Sequence, residues 1–159
     1  MEPKFMVFLT ILFLTSVGFG VTTIDSCMNL NNANETYLLN TSILGNQSSN
    51  NCILINADNI TLDCNGSAIV GYGFDKFGIR VVPNQKNIII RNCQITNYSS
   101  GISISSSENI ILLNNTIYGN LGHGILVSSL SSNISIFNNT IYNNSLYGIY
   151  LYSSSNNFR

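Results

Sequence analysis

Aliphatic residues recur in short pairs along most of the chain. Ile102 and Ile104 form one pair, Ile110 and Leu112 form a second, and Ile117 stands alone as a third element. A spacing of two is typical of β-strands that bury one face, and the intervals between the pairs are too short for a helix. The pattern therefore predicts three short strands in succession.

This three-strand unit is repeated. Gly-Ile dipeptides begin four segments at intervals of 23, 23 and 24 residues, at Gly78, Gly101, Gly124 and Gly148. An Asn-Ile anchor recurs inside these segments, at Asn87, Asn109 and Asn133. Because self-similarity at a fixed period indicates a solenoid, we predict an all-β, parallel β-helix with rungs of about 23 residues and three short strands per rung. Successive rungs would stack about 4.8 Å apart.

The repeat also divides the chain. An earlier copy of the anchor begins at Asn59, and the last copy begins at Gly148 and breaks off at Arg159. We therefore expect β-helix repeats over 59–159, truncated at the C-terminal end, after an N-terminal cap and first partial rung over 21–58. Because an open rung exposes unpaired strand edges, we expect this end to continue in a longer protein or to be capped by another chain.

Residues 1–20 have the form of a secretory signal peptide. Lys4 precedes an uncharged stretch over 5–19, and the small residues Gly18 and Gly20 stand before the expected cleavage site. The stretch is shorter than the roughly 20 apolar residues that span a bilayer, although an uncleaved anchor is the alternative. We expect a secreted protein, extracellular or at the cell surface or in the periplasm, that meets a membrane only if this segment is uncleaved.

Four cysteines follow the signal segment, and an even number in an exported chain indicates two disulfides with three possible connectivities. We predict Cys27–Cys52, closing the N-terminal cap, and Cys64–Cys93, linking adjacent rungs. Zinc is the alternative, but the sequence has no Cys-x-x-Cys pair, and His123 is remote from the last cysteine. The sequence therefore predicts no metal site and no cofactor.

The repeat motifs resemble those of a known group. Gly101-Ile102-Ser103-Ile104, Asn109-Ile110 and Asn115-Thr116-Ile117 resemble right-handed parallel β-helix repeat proteins of the pectate-lyase-like superfamily, and more narrowly the NosD-like β-helix proteins. The resemblance implies a right-handed solenoid over about 52–159. It does not choose between lyases, hydrolases, adhesins and binding proteins. NosD-like proteins are commonly labelled copper-binding, but this chain lacks the His, thiolate or Met cluster that copper requires.

Charged side chains are scarce, at 8% of the chain, and the net charge is −1. This charge provides no basic surface for nucleic acid or for an anionic membrane. In their place the chain has 26 Asn and 21 Ser. Asn tolerates left-handed backbone angles, so we expect it at the corners of the rungs, with stacked copies forming amide ladders. The two corner columns are Asn92/Asn114/Asn138 and Cys93/Asn115/Asn139; the alternative is a row of amide ligands for a sugar.

Catalysis has one candidate site, formed by Asp63, Asp75 and Arg91 on the first rungs. Pairs of carboxylates are the usual machinery of glycoside cleavage. The competing interpretation is a salt-bridge ladder, because the repeat alignment puts Asp63 beside Arg91 and places Asp58, Lys86 and Glu108 in one column of alternating sign. The sequence leaves enzyme activity uncertain and favours its absence.

Binding has a better candidate in the tyrosines. Tyr118 and Tyr142 share a column, while Tyr150 and Tyr152 point outward from the last Gly-Ile strand. Exposed aromatic rings among amides and hydroxyls are suited to a carbohydrate, although simple cross-strand stacking is the alternative. His123, at a corner, is interpreted as a solvated turn residue. We predict a non-enzymatic surface or binding module for glycan or protein attachment, with a polysaccharide-active enzyme or a structural envelope module as alternatives.

Ten Asn-x-Ser/Thr triplets are potential N-glycosylation acceptors in an exported protein. The expected sites are in the N-terminal stretch, at Asn34, Asn40 and Asn46. The corner residues Asn114 and Asn138 are expected to be modified less often.

Overall fold

The structure is a computed structural model that describes residues 20–45, 50–73 and 76–153. The predicted signal segment up to residue 19, together with Asn46 and Asp75, lies outside these residues. The described chain is all-β. Its strands are β1 (Gly20–Ile24), β2 (Met28–Leu30), β3 (Glu35–Leu39), β4 (Ile43–Leu44), β5 (Ile53–Ile55), β6 (Thr61–Asp63), β7 (Ala68–Val70), β8 (Phe77–Val81), β9 (Lys86–Arg91), β10 (Gln94–Thr96), β11 (Ser100–Ser105), β12 (Glu108–Leu113), β13 (Thr116–Tyr118), β14 (Ile125–Ser128), β15 (Ser132–Phe137), β16 (Thr140–Tyr142) and β17 (Ile149–Tyr152).

The strands form three parallel sheets. Sheet A has the order β1-β3-β6-β9-β12-β15, sheet B has β2-β5-β8-β11-β14-β17, and sheet C has β4-β7-β10-β13-β16. From β2 onward the chain visits sheets B, A and C in turn, so each circuit makes one rung with three strands. The predicted parallel β-helix is therefore confirmed, with rungs of about 24 residues over about five turns.

The aliphatic pairs of the repeat form the core. Ile102, Ile104, Ile110, Leu112 and Ile117 are all fully buried, as the period of two predicts. Each pairs with its copy in the next rung, so that the aliphatic side chains form continuous columns along the solenoid. Complete burial of such a side chain contributes about 1.5–3 kcal/mol, and this repeated burial is the main force that holds the rungs together.

The solenoid begins before the Asn59 anchor. Strands β2, β3 and β4 form a complete first rung, where the sequence predicted a cap and a partial rung. Its core residues are Leu30, Tyr37, Leu39 and Ile43, all buried. This rung has no Gly-Ile dipeptide and uses an aromatic ring where later rungs use Leu or Ile, so it does not match the repeat pattern.

The first position of the Gly-Ile motif requires glycine, because there is no room for a side chain. A Cβ on Gly101 would lie 2.5 Å from Ile117 Cγ2 and 2.8 Å from the carbonyl oxygen of Gly124 in the next rung. Gly78 and Gly124 meet the same obstruction from their own neighbours. The backbone at these glycines is therefore too close to the core and to the adjacent rung for any side chain.

The two disulfides are Cys27–Cys52 and Cys64–Cys93, the pairs expected from the sequence. Their Cα–Cα distances are 4.4 and 4.7 Å, and each bond links adjacent rungs. The sulfur of Cys93 occupies the corner position that Asn115 and Asn139 hold in the next two rungs. A covalent link there replaces the side-chain amide.

Asparagine shapes the corners in two ways. On the outside, the side-chain amides of successive rungs hydrogen-bond in an exposed column, which we call the outer ladder: Asn34, Asn59, Asn87, Asn109 and Asn133. Each member has a φ between 52° and 62°, the left-handed region that Asn tolerates. On the inside, Asn115 and Asn120 accept hydrogen bonds from the backbone N–H groups of Cys93 and Tyr98 in the rung below.

Candidate binding surface

Four aromatic rings meet on the last turns of the solenoid. His123 lies in the corner before β14, and Tyr147 lies one rung later in the corner before β17. Tyr150 and Tyr152 follow on β17, where they pair with Leu126 and Ser128 of β14. We refer to His123, Tyr147, Tyr150 and Tyr152 as the aromatic surface.

The rings of the aromatic surface are nearly parallel. His123 and Tyr150 have ring centroids 4.6 Å apart and an interplanar angle of 15°. Tyr147 lies 5.3 Å from Tyr150 and 5.7 Å from His123, and Tyr152 lies 6.4 Å from Tyr150. The side chains of Tyr147 and Tyr152 are 60% and 59% exposed. A continuous row of aromatic groups is therefore available to a ligand.

His123 belongs to this row and is not the isolated turn residue that the sequence suggested. Its Nδ1 accepts a hydrogen bond from the backbone N–H of Tyr147, 3.4 Å away, so the neutral ring carries its proton on Nε2. Burial lowers the pKa of His123 below its ordinary value. The imidazole is therefore uncharged at neutral pH, which makes it a fourth neutral ring beside the tyrosines.

Tyr118 and Tyr142 form a separate pair on the outer face of sheet C. They occupy equivalent positions of β13 and β16, with centroids 5.2 Å apart and an interplanar angle of 4°. Within the described residues no ring contact joins this pair to the aromatic surface. The four tyrosines predicted as one binding set are therefore two sets. Stacking of this kind contributes about 0.2–1 kcal/mol per pair and explains Tyr118 and Tyr142 without a ligand.

The surroundings of the aromatic surface are neutral and partly apolar. The sequence has no Lys, Arg, Asp or Glu between residues 109 and 153. Leu121 and Leu146, in the same corners as His123 and Tyr147, are 56% and 64% exposed. Ser and Asn supply the remaining polar groups. An arrangement of this kind is suited to an uncharged, amphipathic ligand.

The catalytic candidates Asp63 and Arg91 do come together. Arg91 Nε lies 2.8 Å from Asp63 Oδ2, while Asp63 Oδ1 accepts hydrogen bonds from the side chain of Asn92 and the backbone N–H of Asn65, both at 2.9 Å. Burial raises the pKa of Asp63, but these hydrogen bonds and the charge of Arg91 outweigh burial and hold it below the ordinary value. Asp63 is thus an ionised carboxylate with both oxygens occupied.

The predicted column of alternating charge is present on sheet A. Lys86 Nζ lies 2.8 Å from Glu108 Oε1, and the backbone N–H of Lys86 donates to Asp58 Oδ1 at 2.8 Å. The hydrogen bond that Lys86 donates to Glu108 raises the pKa of Lys86, and the Glu108 charge acts in the same direction. These exposed contacts align neighbouring rungs.

Neither a metal site nor a membrane span is found in the part of the chain that the structure describes. Across residues 20–45, 50–73 and 76–153, no three His, Cys, Asp or Glu side chains are grouped so as to hold a metal ion. The same residues include no helix with the length and apolarity to cross a bilayer.

Sequence reasoning missed His123 and Tyr147 as members of the aromatic surface. The repeat alignment contains a signal for them, because each stands directly before the glycine of a Gly-Ile motif, Gly124 or Gly148. They therefore share a column. Tyr150, which belongs to a different column, contacts both rings. An alignment of rungs shows which residues share a column but not contacts between columns.

The comparisons with known proteins agree with this architecture. A family model described as a right handed beta helix region matches residues 23–159. No curated protein and no solved structure matches the chain.

Proposed function

The chain belongs to the right-handed β-helix family, and from that premise we propose that it is an exported, non-enzymatic binding module for a neutral carbohydrate. The aromatic surface of His123, Tyr147, Tyr150 and Tyr152 is the proposed site. One observation carries the proposal, which is that these four rings lie nearly parallel and partly exposed on the surface of the solenoid.

The chemistry of the ligand follows from the chemistry of the surface. A pyranose ring has an apolar C–H face that packs on aromatic rings and a rim of hydroxyls that hydrogen-bonds to phenol, amide and serine groups. Tyrosine offers both an apolar face and a polar end. Because no acidic or basic side chain lies between residues 109 and 153, an ionic ligand such as a uronate would find no counter-charge there.

Export is the second part of the proposal. The disulfides Cys27–Cys52 and Cys64–Cys93 support it, because such bonds persist in oxidising compartments outside the cytosol. The form of residues 1–20 adds to this support. We also propose the narrower relationship to the NosD-like proteins of the pectate-lyase-like superfamily, which rests on the Gly-Ile and Asn-Ile motifs.

A polysaccharide-active enzyme is the rival function, favoured by the contact between Asp63 and Arg91. Against it, the lowered pKa of Asp63 makes this carboxyl a poor proton donor at neutral pH. Cleavage of polygalacturonate by the protein, abolished in Asp63→Ala, would establish the rival and contradict the proposal.

Glycan binding by matched variants tests the site. The disulfide-bonded protein is applied to an array of neutral and acidic oligosaccharides, beside Tyr152→Ala and Phe137→Ala. Tyr152 belongs to the aromatic surface, whereas Phe137 is 46% exposed on sheet A and serves as the control. We expect binding to neutral glycans that falls at least tenfold in Tyr152→Ala and stays unchanged in Phe137→Ala. Equal binding by all three proteins would contradict the aromatic surface as the site, and no binding by any of them would favour a purely structural module.

A further inference from the structure

The Asn-x-Ser/Thr triplets fall into two groups according to the hydrogen bonds of their side-chain amides. In the first group the amide nitrogen donates within the solenoid. Asn59 donates to Asn34 Oδ1 at 3.0 Å, Asn133 donates to Asn109 Oδ1 at 3.1 Å, and Asn97 donates to the carbonyl oxygen of Gly71 at 2.7 Å. These amides hold one rung to the next.

In the second group the asparagine is exposed, and none of the described hydrogen bonds uses its amide nitrogen. Three members lie at the corner between sheets A and C, where Asn65, Asn114 and Asn138 all have a φ near 50°. Asn92 occupies the same corner in the intervening rung, but it begins no triplet and donates to Asp63 Oδ1. At this corner, the asparagines that begin triplets are therefore the ones whose side-chain amide nitrogens donate none of the described hydrogen bonds.

A groove lies beside this corner. Its volume is about 300 Å³, and it is lined by Asn65, Gly66, Asn92, Cys93, Gln94, Asn114 and Thr116. Two of the free amides, Asn65 and Asn114, thus stand at the same groove. Its amide and hydroxyl groups are neutral hydrogen-bonding partners for sugar hydroxyls, and its volume accommodates a single pyranose ring.

We propose that Asn65, Asn114 and Asn138 are N-glycosylation sites, and that the first sugar on Asn65 or Asn114 lies in this groove. The amide nitrogen forms a bond to C1 of the sugar of a lipid-linked oligosaccharide, while the C1–O bond to the lipid phosphate breaks. The departing phosphate takes the electron pair of that bond and, in the overall balance, the proton that the amide loses. This inference rests on the export part of the proposed function and is independent of ligand binding at the aromatic surface.

The outer-ladder residues Asn59 and Asn133, whose own amide nitrogens donate within the ladder, remain unmodified in the folded protein. A sugar on Asn59 or Asn133 would have to fit between two side-chain amides that are 3.0 or 3.1 Å apart. It would separate the rungs that these hydrogen bonds align. This assignment reverses the sequence expectation for Asn114 and Asn138, whose corner position leaves their amides free. Asn34 and Asn40 are exposed as well and remain candidates.

Site-resolved mass spectrometry tests the proposal. The full chain is produced in yeast behind the host's own secretion leader, so that entry into the glycosylating compartment does not depend on residues 1–20. The disulfide-bonded protein, from medium or cells, is treated with peptide N-glycosidase in ¹⁸O water, which marks each occupied asparagine. We expect marks at Asn65, Asn114 and Asn138 and none at Asn59, Asn97 or Asn133. Unmarked corner residues, or marked ladder residues, would overturn the proposal.

Two hydroxyl deletions provide matched variants, because they destroy a triplet and leave its asparagine in place. Thr116→Ala should abolish the mark at Asn114, whereas Ser135→Ala, beside the ladder residue Asn133, should leave the number of glycans unchanged. A glycan lost in Ser135→Ala and retained in Thr116→Ala would contradict the assignment. Failure here leaves glycan binding by the aromatic surface untouched, so the two proposals fail separately.

Discussion

The side-chain nitrogen of Asn115 lies 2.9 Å from the side-chain oxygen of Asn139 in the next rung. The same nitrogen donates to the carbonyl oxygen of Ile90, and the Asn115 oxygen accepts from the backbone N–H of Cys93. One buried amide therefore bonds polar groups of the two adjacent rungs and connects three successive rungs. Because the corners of the solenoid pass close to its core, such groups have no access to water.

Replacing Asn115 by Ala should lower the free energy of unfolding by about 3 kcal/mol, because several buried polar groups lose their partners. Its neighbour Asn114 provides the control, since that side chain is exposed and donates no described hydrogen bond. Asn114→Ala should lower the free energy of unfolding by only about 1 kcal/mol, because Ala tolerates the left-handed backbone angle at this position less well than Asn does. Chemical denaturation of both variants measures the difference. Equal losses would show that the inner amides do not hold the rungs.

Replacing Gly101 by Ala should also be destabilising, by about 1–3 kcal/mol, because the new methyl group overlaps Ile117 and the backbone of the next rung. Gly148 occupies the same column, but among the residues that the structure describes a Cβ there meets only Ile141 Cγ2, at 3.4 Å. Gly148→Ala should therefore be nearly neutral. Thermal unfolding of the two variants compares them directly, and a larger loss in Gly148→Ala would contradict the account of the Gly-Ile motif.

The repeating part of the fold could be predicted because identical columns leave a periodic trace in the sequence. Ile102 and Ile125 stand at matching positions since both must fill the same place in the core. The first rung leaves no such trace, because no Gly-Ile dipeptide precedes it and the aromatic ring of Tyr37 stands in a core column of sheet A that is otherwise aliphatic. The aromatic surface was only half predicted, since the contact of His123 with Tyr150 runs between columns and depends on side-chain direction.

The two disulfides should protect different parts of the solenoid. Each closes a loop of similar length, 25 or 29 residues, and the entropy of loop closure predicts about 3.5 kcal/mol for either. Cys27–Cys52 holds the first rung, whereas Cys64–Cys93 joins two rungs in the interior of the stack. Because each rung contacts only its neighbours, the effect depends on position.

Hydrogen exchange on paired alanine variants measures this difference. Cys27→Ala with Cys52→Ala should accelerate exchange in β2 to β4 and leave β11 to β15 protected. Cys64→Ala with Cys93→Ala should accelerate exchange in β6 and β9 and lower protection of every strand. Identical exchange patterns in the two double variants would refute this division.

The stability of the protein should fall in acid partly through Asp63. Its pKa is lowered in the folded protein, so the stability that it contributes is complete above the ordinary value of 3.8 and is lost as pH falls through the folded value. Asp63→Asn should be less stable than the original protein at pH 7, and the gap should narrow below pH 4. Denaturation at a series of pH values follows the gap. If the stability difference between the two proteins widened in acid instead, ionised Asp63 would not be stabilising the fold, and the ion pair with Arg91 would be contradicted.

The most direct test of the proposed function is an NMR titration with cellohexaose, maltohexaose, xylohexaose and chitohexaose, with polygalacturonate as the acidic comparison. We predict that at least one neutral oligosaccharide shifts the ring signals of His123, Tyr147, Tyr150 and Tyr152, while those of Tyr118 and Tyr142 and the amide of Asp63 stay in place. Shifts centred on Asp63 and Arg91 with polygalacturonate, and none at the aromatic surface, would contradict the account.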